Sequence, residues 1–316
     1  MTSERRLGSS DLVVSAVGLG CNNFGRPGTA TVTVEGTRAV IDAAIERGVV
    51  FLDTAELYGE PGGRSEELMG QALQGRRDQV VLATKFGYPG AGPAGCEQWG
   101  RRGSAAYLRQ ALEGSLTRLG TDYIDLYQMH APDSDTPVGE TLAALAELVT
   151  DGKVRYLGHS NFSAEQVREA ERVAAELGLP RFVSAQNEYS LLHREPEREL
   201  LGLCQALGLG FLPYFPLRMG LLTGKYGRDG GSGRLERRPE VLAGVDWDQL
   251  EAYQQFCDAA GVTMTEATFA WMLAQPAVSS VIAGATTAQQ VHQNADAGLT
   301  RLDADQLDII GELFRP

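Results

Sequence analysis

Lysine is scarce in this chain. Of 28 basic residues only Lys85, Lys153 and Lys225 are lysines, so a retained lysine is expected to serve as a compact, tunable point charge that arginine does not offer. No run of lysine or arginine occurs and the formal net charge is −13, which argues against a nucleic-acid binder, since such a protein needs a basic face for phosphates. No stretch approaches about 18 consecutive apolar residues, and Met1 to Arg6 has no apolar segment behind its charges. Membrane spanning and secretion therefore have no support, and a cytoplasmic protein is expected. The four cysteines, Cys21, Cys96, Cys204 and Cys257, are far apart and form no Cys-x-x-Cys pair, so neither a zinc site nor a disulfide framework is signalled. A flavin signature, a metal-ligand cluster and a Gly-x-Gly-x-x-Gly turn are missing too.

What is present is a repeating unit. Apolar, strand-like runs lie at Val17 to Leu19, Val49 to Leu52, Val80 to Ala83, Ile124 to Met129, Val154 to Leu157, Phe182 to Ala185, Leu209 to Leu212 and Ser280 to Ile282. Helix-patterned stretches separate them: Val34 to Arg47, Ser65 to Leu73, Ser104 to Leu119, Val138 to Thr150, Ser163 to Leu177, Pro196 to Leu207 and Glu266 to Leu273, with a last one at Ala304 to Leu313. Thr33, Ser163 and Asp303 supply start signals, and Gly48, Gly75, Gly120, Gly152, Gly178 and Gly208 supply stops. Eight strands, apolar on both faces and alternating with helices, predict a (β/α)8 barrel over residues 1–316 rather than an open sheet. Arg5 to Val14 reads as a surface hairpin ahead of it. Two long loops interrupt the rhythm after the third and seventh strands, at Phe86 to Gly103 and Arg218 to Asp246, and the second has an expected disordered tip at Gly227 to Gly233.

In such barrels chemistry sits at strand C-terminal ends. There the chain places Asp53 with Tyr58 just beyond it, Lys85 and His130, on the second, third and fourth strands. Adjacent strands would bring a carboxylate, a phenol, an ammonium and an imidazole to one pocket. The set suits a phenolic general acid: an ammonium stabilises a phenolate and draws its pKa down from about 10 toward neutrality. Lys85 would do this, Asp53 would hold Lys85, and His130 would orient a carbonyl oxygen or share the proton relay. A carbonyl that gains a proton also needs an electron pair, so a hydride-carrying cofactor is expected.

The segments Asp53 to Gly59, Leu82 to Lys85, Asp125 to His130, Gly158 to Phe162, Gln186 to Tyr189 and Gly220 to Lys225 together resemble the aldo-keto reductase superfamily, in order and from Leu7-Gly8 to Asn294. The resemblance implies a barrel that reduces an aldehyde or ketone with a nicotinamide cofactor, using Asp53, Tyr58, Lys85 and His130 as catalytic tetrad. It further implies that Ser160, Asn161 and Gln186 bind the nicotinamide carboxamide, that Tyr214 stacks on the ring, and that Gly20, Cys21 and Asn22 approach the ribose. The adenosine phosphate segment would comprise Gly284, Ala285, Thr286, Thr287, Gln290 and Asn294, with a helix N-terminus for the phosphate. This segment carries no cation, where many members have one for the 2′-phosphate, so NADPH is expected with NADH as the alternative, and Arg218 or Arg301 is the candidate to reach that phosphate. Phe215 stands where a serine commonly touches the diphosphate, which leaves backbone groups and Leu217 to serve there. His159 is expected to be structural.

For the substrate, Asn23 and Phe24 on one side and Phe86, Tyr88 and Trp99 on the other are candidate walls, and Arg101 and Arg102 candidate anion contacts; no residue chooses among carbonyl compounds. Small molecules are the expected partners, and nothing in the sequence sets an oligomeric state. A cofactor-sensing regulatory subunit with little turnover is the alternative.

Overall fold

The apolar runs form one parallel sheet of eight strands in the computed structural model, which describes residues 3–231 and 233–315. The strands are β1 (Val17–Gly20), β2 (Phe51–Asp53), β3 (Val81–Phe86), β4 (Ile124–Met129), β5 (Val154–Ser160), β6 (Ser184–Glu188), β7 (Gly210–Tyr214) and β8 (Val281–Gly284). Each pairs with its neighbour in sequence, and β8 returns to β1, with Val281 opposite Val17 and Gly284 opposite Gly20. The seam between β7 and β8 is closed just before β8: Phe211 N donates to Ala277 O at 2.8 Å and Ser279 N to Phe211 O at 3.0 Å. The (β/α)8 barrel expected from the sequence is the fold.

Strand residues alternate between the two faces of a sheet, and this decides what fills the barrel. Phe51, Ala83, Leu126, Leu212 and Ile282 face inward and pack with Leu7, Leu12 and Val14. The last three come from an antiparallel hairpin, Glu4–Arg6 with Val13–Ser15, which plugs the N-terminal end of the barrel. Space inside is short enough that a Cβ on Gly18 would stand 2.7 Å from Ile282 Cδ1 and 2.9 Å from Phe51 Cδ1. Outward residues such as Leu52, Leu82, Tyr127, Leu157 and Phe211 join the helices in the larger apolar cluster. Burying each large apolar side chain stabilises the fold by about 1.5–3 kcal/mol. One step further along the inward register, toward the C-terminal ends, the side chains turn polar: Asp53, Lys85, Gln128, Ser160, Gln186 and Tyr214.

The helices Val34–Glu46, Arg64–Ala72, Ala105–Leu119, Val138–Thr150, Ala164–Leu177, Leu200–Leu207 and Met264–Leu273 lie where the pattern puts them. Two others differ from the expectation. The helix after β8 is Ala288–Ala297, with Ala304–Leu313 an additional one, and Trp247–Ala260 precedes Met264–Leu273. Both unexpected helices begin on caps visible in the sequence: Gln249 N donates to Asp246 Oδ1 at 3.0 Å and Gln290 N to Thr287 Oγ1 at 3.3 Å. The long segment after β7 contains 3-10 turns at Arg218–Thr223 and Arg234–Arg237, a small hairpin of Tyr226–Gly227 with Gly230–Gly231, and the helix Pro239–Ala243. The expected disordered tip includes Ser232, which lies outside the described residues. No helix among the described residues is long and apolar enough to cross a membrane.

Candidate active site

Asp53 ends β2 and Lys85 sits one residue from the end of β3, both on the inward register. Their side chains meet in an ion pair, Lys85 Nζ to Asp53 Oδ2 at 2.5 Å, with Lys85 fully buried and Asp53 2% exposed. Lys85 Nζ also donates to Thr54 O at 3.0 Å. The second carboxylate oxygen, Asp53 Oδ1, accepts from Gln128 Nε2 at 2.9 Å and Gln186 Nε2 at 3.1 Å, so inward side chains of three other strands converge on one acid. Breaking a buried pair of this kind typically costs about 3–5 kcal/mol, while an apolar replacement of both partners is often neutral or stabilising. Stability alone therefore does not account for the pair. Gln128 carried no assigned role in the sequence; its signal is its place two residues before His130 on the inward register.

Tyr58 lies on the loop after β2, half-buried, with Lys85 Nζ 5.1 Å from its ring centroid. Its phenol is pushed upward by burial, against which the Lys85 ammonium works to lower it. The sequence led to a net decrease; in the free protein desolvation outweighs the ammonium, because a phenolate here would lose its water. Burial draws the Lys85 ammonium downward, but the charge of Asp53 and the phenol of Tyr58 outweigh it and the net direction is upward. His130 is buried just beyond β4, its ring edge-on to Tyr58 at 5.8 Å between centroids and under Tyr88 at 4.9 Å. Burial and then the nearby Lys85 charge hold its pKa well below the usual imidazole value, so it is neutral, and its Nδ1 is buried with no partner among the described residues.

The opposite rim is built from the ends of β5, β6 and β7. Ser160 Oγ donates to Gln186 O at 2.8 Å, Asn161 Nδ2 to His130 O at 2.9 Å and to Ser160 Oγ at 3.1 Å, and Tyr214 OH to Asn161 Oδ1 at 2.8 Å. The non-glycine residues with positive φ among those described, Asn161 (63°), Phe215 (54°), Arg218 (44°) and Met219 (55°), all lie at the ends of β5 and β7. Such conformations cost about 1–3 kcal/mol each and cluster at ligand clamps. Phe215 packs edge-on to Tyr214 at 5.2 Å, and Leu217 O accepts from Gly220 N at 2.8 Å. Across the barrel Gly20 pairs with both Asp53 and Gly284, and Asn22 and Asn23 reach Gly284 with Oδ1 and Nδ2 3.6 and 3.2 Å from where its Cβ would be. Cys21 turns its side chain into the core and offers this strip only backbone. Thr286 N and Oγ1 both donate to Gln290 Oε1, at 2.8 and 3.1 Å; Ala285 and Asn294 are buried.

Comparison with known proteins decides the lineage. A family model described as "Aldo/keto reductase family" matches residues 16–315. The chain belongs to the aldo/keto reductase family. It is 36% identical over 300 residues to the uncharacterized oxidoreductase YqkF of Bacillus subtilis, covering 94% of this chain and 92% of that protein. It is 33% identical over 310 residues to the L-glyceraldehyde 3-phosphate reductase of Escherichia coli, covering 93% and 86%. A probable voltage-gated potassium channel subunit beta of Oryza sativa is 35% identical over 307 residues, covering 93% and 90%. Family and relatives support an oxidoreductase, with carbonyl reduction as its general chemistry.

Within this aldo/keto reductase, the candidate substrate walls are placed unequally. Phe86 is fully buried and stacked on Tyr127 at 4.7 Å, outside the barrel; with Lys85 inward, strand alternation sends Phe86 outward. Phe24 is likewise fully buried in the helix-side cluster. Trp99 is half-buried, edge-on to Tyr107 at 5.3 Å, while Tyr88, 41% exposed over His130, faces the mouth. Arg101 is engaged with Asp135 O and Glu140, and Arg102 with Gly87 O, Pro132 O and Asp133, so neither stands ready for an anionic substrate. Arg218 is ion-paired with Glu188, the last residue of β6. Arg301 Nη1 donates to Gly298 O at 3.1 Å and to Thr300 O at 2.9 Å. His159 is packed between Phe162 and Phe182 with neither ring nitrogen partnered among the described residues. Among the described residues no group of three or more histidine, cysteine or acidic side chains is arranged to hold a metal.

Proposed function

We propose that this aldo/keto reductase reduces an aldehyde or ketone to an alcohol with NAD(P)H, Tyr58 giving the proton. The observation that carries the reading is the buried Asp53–Lys85 pair beneath Tyr58, with neutral His130 edge-on beside the phenol. As the proton leaves Tyr58, the developing phenolate meets the Lys85 ammonium, and Asp53, fixed by Gln128 and Gln186, keeps that ammonium in place. The carbonyl oxygen takes the Tyr58 proton while its carbon takes the hydride, which closes the balance to the alcohol. Burial, and after it the charge of Lys85, disfavours a positive charge on His130, so its imidazole acts as a neutral hydrogen-bonding group that orients the carbonyl oxygen.

The residues present fit a nicotinamide cofactor, which when bound supplies the hydride. Gln186 Oε1, Ser160 and Asn161 would hold the carboxamide and Tyr214 the ring; Gly20, Cys21 and Asn22 would line the ribose; and Phe215 and Leu217 the diphosphate. Gly284, Ala285, Thr286, Thr287, Gln290 and Asn294 would hold the adenosine phosphate, through hydroxyls and backbone rather than a cation. NADPH is the form we favour on the family resemblance, and NADH is the alternative. The described cysteines are all free, and we read the protein as cytoplasmic.

Fluorescence titration with NADPH and NADH, followed by cofactor oxidation over a mixed aldehyde and ketone panel, tests cofactor and reaction together. Tyr58→Phe is expected to lower kcat by at least about a hundredfold while cofactor affinity stays within about twofold. Retained turnover would remove Tyr58 from its role. Similarity to a channel beta subunit keeps a cofactor-sensing reading in view; tight binding without oxidation across the panel would favour it.

A further inference from the structure

Between Asp53 and Tyr58 lies a third acid that the reaction does not use. Glu56 is fully buried, and its backbone N–H donates to Lys85 O at 3.0 Å. Its Oε1 accepts from Gly87 N at 2.7 Å and from Tyr107 OH at 2.8 Å, while Oε2 is buried without a partner among the described residues. Burial pushes this carboxyl up to about 7. A group this expensive to bury is held by something other than packing. Its partner Gly87 is the first residue of the loop after β3, and that loop carries Tyr88.

The other end of the same residue is also held. Gly87 O accepts from Arg102 Nη1 at 2.6 Å, and Arg102 Nη2 reaches Pro132 O at 3.2 Å and Asp133 Oδ1 at 3.4 Å on the loop after His130. Asp133 is fixed in turn by Gly103 N at 2.8 Å and Thr136 Oγ1 at 2.7 Å. One residue is thus clasped on its N–H by Glu56 of the Tyr58 loop and on its C=O by Arg102, which is itself anchored to the loop after His130. Gly87 adopts φ +75°, and a Cβ there would approach Arg102 Cβ to 3.3 Å, so the turn is built for close approach of the arginine. Immediately after it, Tyr88 is delivered over the His130 ring at 4.9 Å.

We propose that Glu56 and Arg102 are positioning residues that clasp the N–H and C=O of Gly87, hold Tyr88 over His130, and so set how the carbonyl substrate seats against the Tyr58 hydroxyl. The inference rests on the reading of Tyr58 as proton donor. Neither Glu56 nor Arg102 touches the reacting atoms; both act through Tyr88. The contacts Tyr88 makes serve ground and transition states alike, so their loss is read in KM more than in kcat.

The test uses the full-length protein in three single variants, Glu56→Ala, Arg102→Met and Tyr88→Ala, and the two double variants that include Tyr88→Ala. Each single change is expected to raise KM for a carbonyl substrate about tenfold, with kcat within about threefold and cofactor affinity within about twofold. The doubles should show no further rise, because the clasp acts only through Tyr88. Glu56→Gln, which keeps an acceptor for Gly87 N and Tyr107 OH, should restore KM to within about threefold of the parent. Hydrogen exchange needs no turnover: amides of residues 88–103 should exchange faster in Glu56→Ala and Arg102→Met and unchanged in Tyr88→Ala. If Glu56→Ala fails to fold, the half-exposed Arg102→Met carries the same readouts. Unchanged exchange in that loop, or KM effects that multiply in the doubles, would overturn the clasp. A parent protein that turns over no carbonyl overturns the reduction reading instead, while the exchange result still decides whether the loop is clasped.

Discussion

His159→Leu should make the protein less sensitive to acid, by an amount the structure sets. His159 points outward from β5 into the helix-side core, fully buried between Phe162 and Phe182, with neither ring nitrogen partnered among the described residues, and burial lowers its pKa to about 3. A base whose folded pKa is depressed contributes stability that is fully present above its unfolded value of about 6.5 and is lost as pH falls toward the folded value. Between those limits the unfolded chain takes up a proton that the folded chain refuses. At pH 5 this costs about 2 kcal/mol, rising to about 5 kcal/mol toward pH 3. At pH 8 two orphaned polar atoms are removed by the substitution, at about 1 kcal/mol each, and ring packing worth about 1 kcal/mol is lost, so the variant should be about 1 kcal/mol more stable there. The quantity to measure is the change in that difference between pH 8 and pH 5, which cancels the titration of Glu56 and His130 common to both proteins. Guanidinium unfolding followed by tryptophan fluorescence and far-UV circular dichroism gives it, coincident curves establishing a two-state transition. The gap should widen by about 2 kcal/mol; a gap equal at both pH values would mean that His159 titrates normally in the fold and that its burial has been misread.

Lys85→Met strands Asp53 without its cation and should lower stability by about 3–5 kcal/mol, read as a fall in Tm. In the same variant the influence that draws the Tyr58 phenol down is gone, so alcohol oxidation, which needs the phenolate, should require higher pH; an unshifted pH profile would separate Lys85 from Tyr58. Arg218→Ala removes the guanidinium next in sequence to Leu217, in the strip proposed for the diphosphate, and should raise the NADPH dissociation constant about tenfold at low salt, with the effect shrinking as ionic strength rises. Glu188→Gln, which frees Arg218 from its ion pair, should act in the opposite direction; equal NADPH affinity in parent and both variants would assign the pair to loop structure alone.

Much of this was legible from the chain. Eight apolar runs and the glycines that stop the helices fixed the barrel, and strand ends located Asp53, Lys85 and His130, because parallel strands order their C-termini on one face. The helix Trp247–Ala260 escaped because its polar and apolar positions are mixed, although Asp246 marks its start. Arg101 and Arg102 looked available for an anion; apart from Gly87 O, their carbonyl and carboxylate partners come from the segment after β4, 30 or more residues away, which no local pattern reveals. The same holds for Glu56, whose neighbours are Gly87 and Tyr107. Net pKa directions were illegible for a related reason: charge type is written in the sequence, but depth of burial is not, and for Tyr58 burial wins.

One rule joins the successes to the failures. On β3, Ala83 and Lys85 share the inward register, so Phe86 is committed to the outer core as soon as Lys85 is placed in the pocket. On β4, Leu126, Gln128 and then His130 climb the same inward line, which makes Gln128 a necessary part of the polar layer rather than a neighbour of it. Strand alternation thus allots each barrel strand one or two side chains at the mouth, and those are spent on the Asp53 network and the opposite rim. Substrate choice must then come from residues freed of the strand register, on the loops after β1, β3 and β7. Tyr88, the half-open ring over His130, is the first of these, and its position depends on how firmly Gly87 is held.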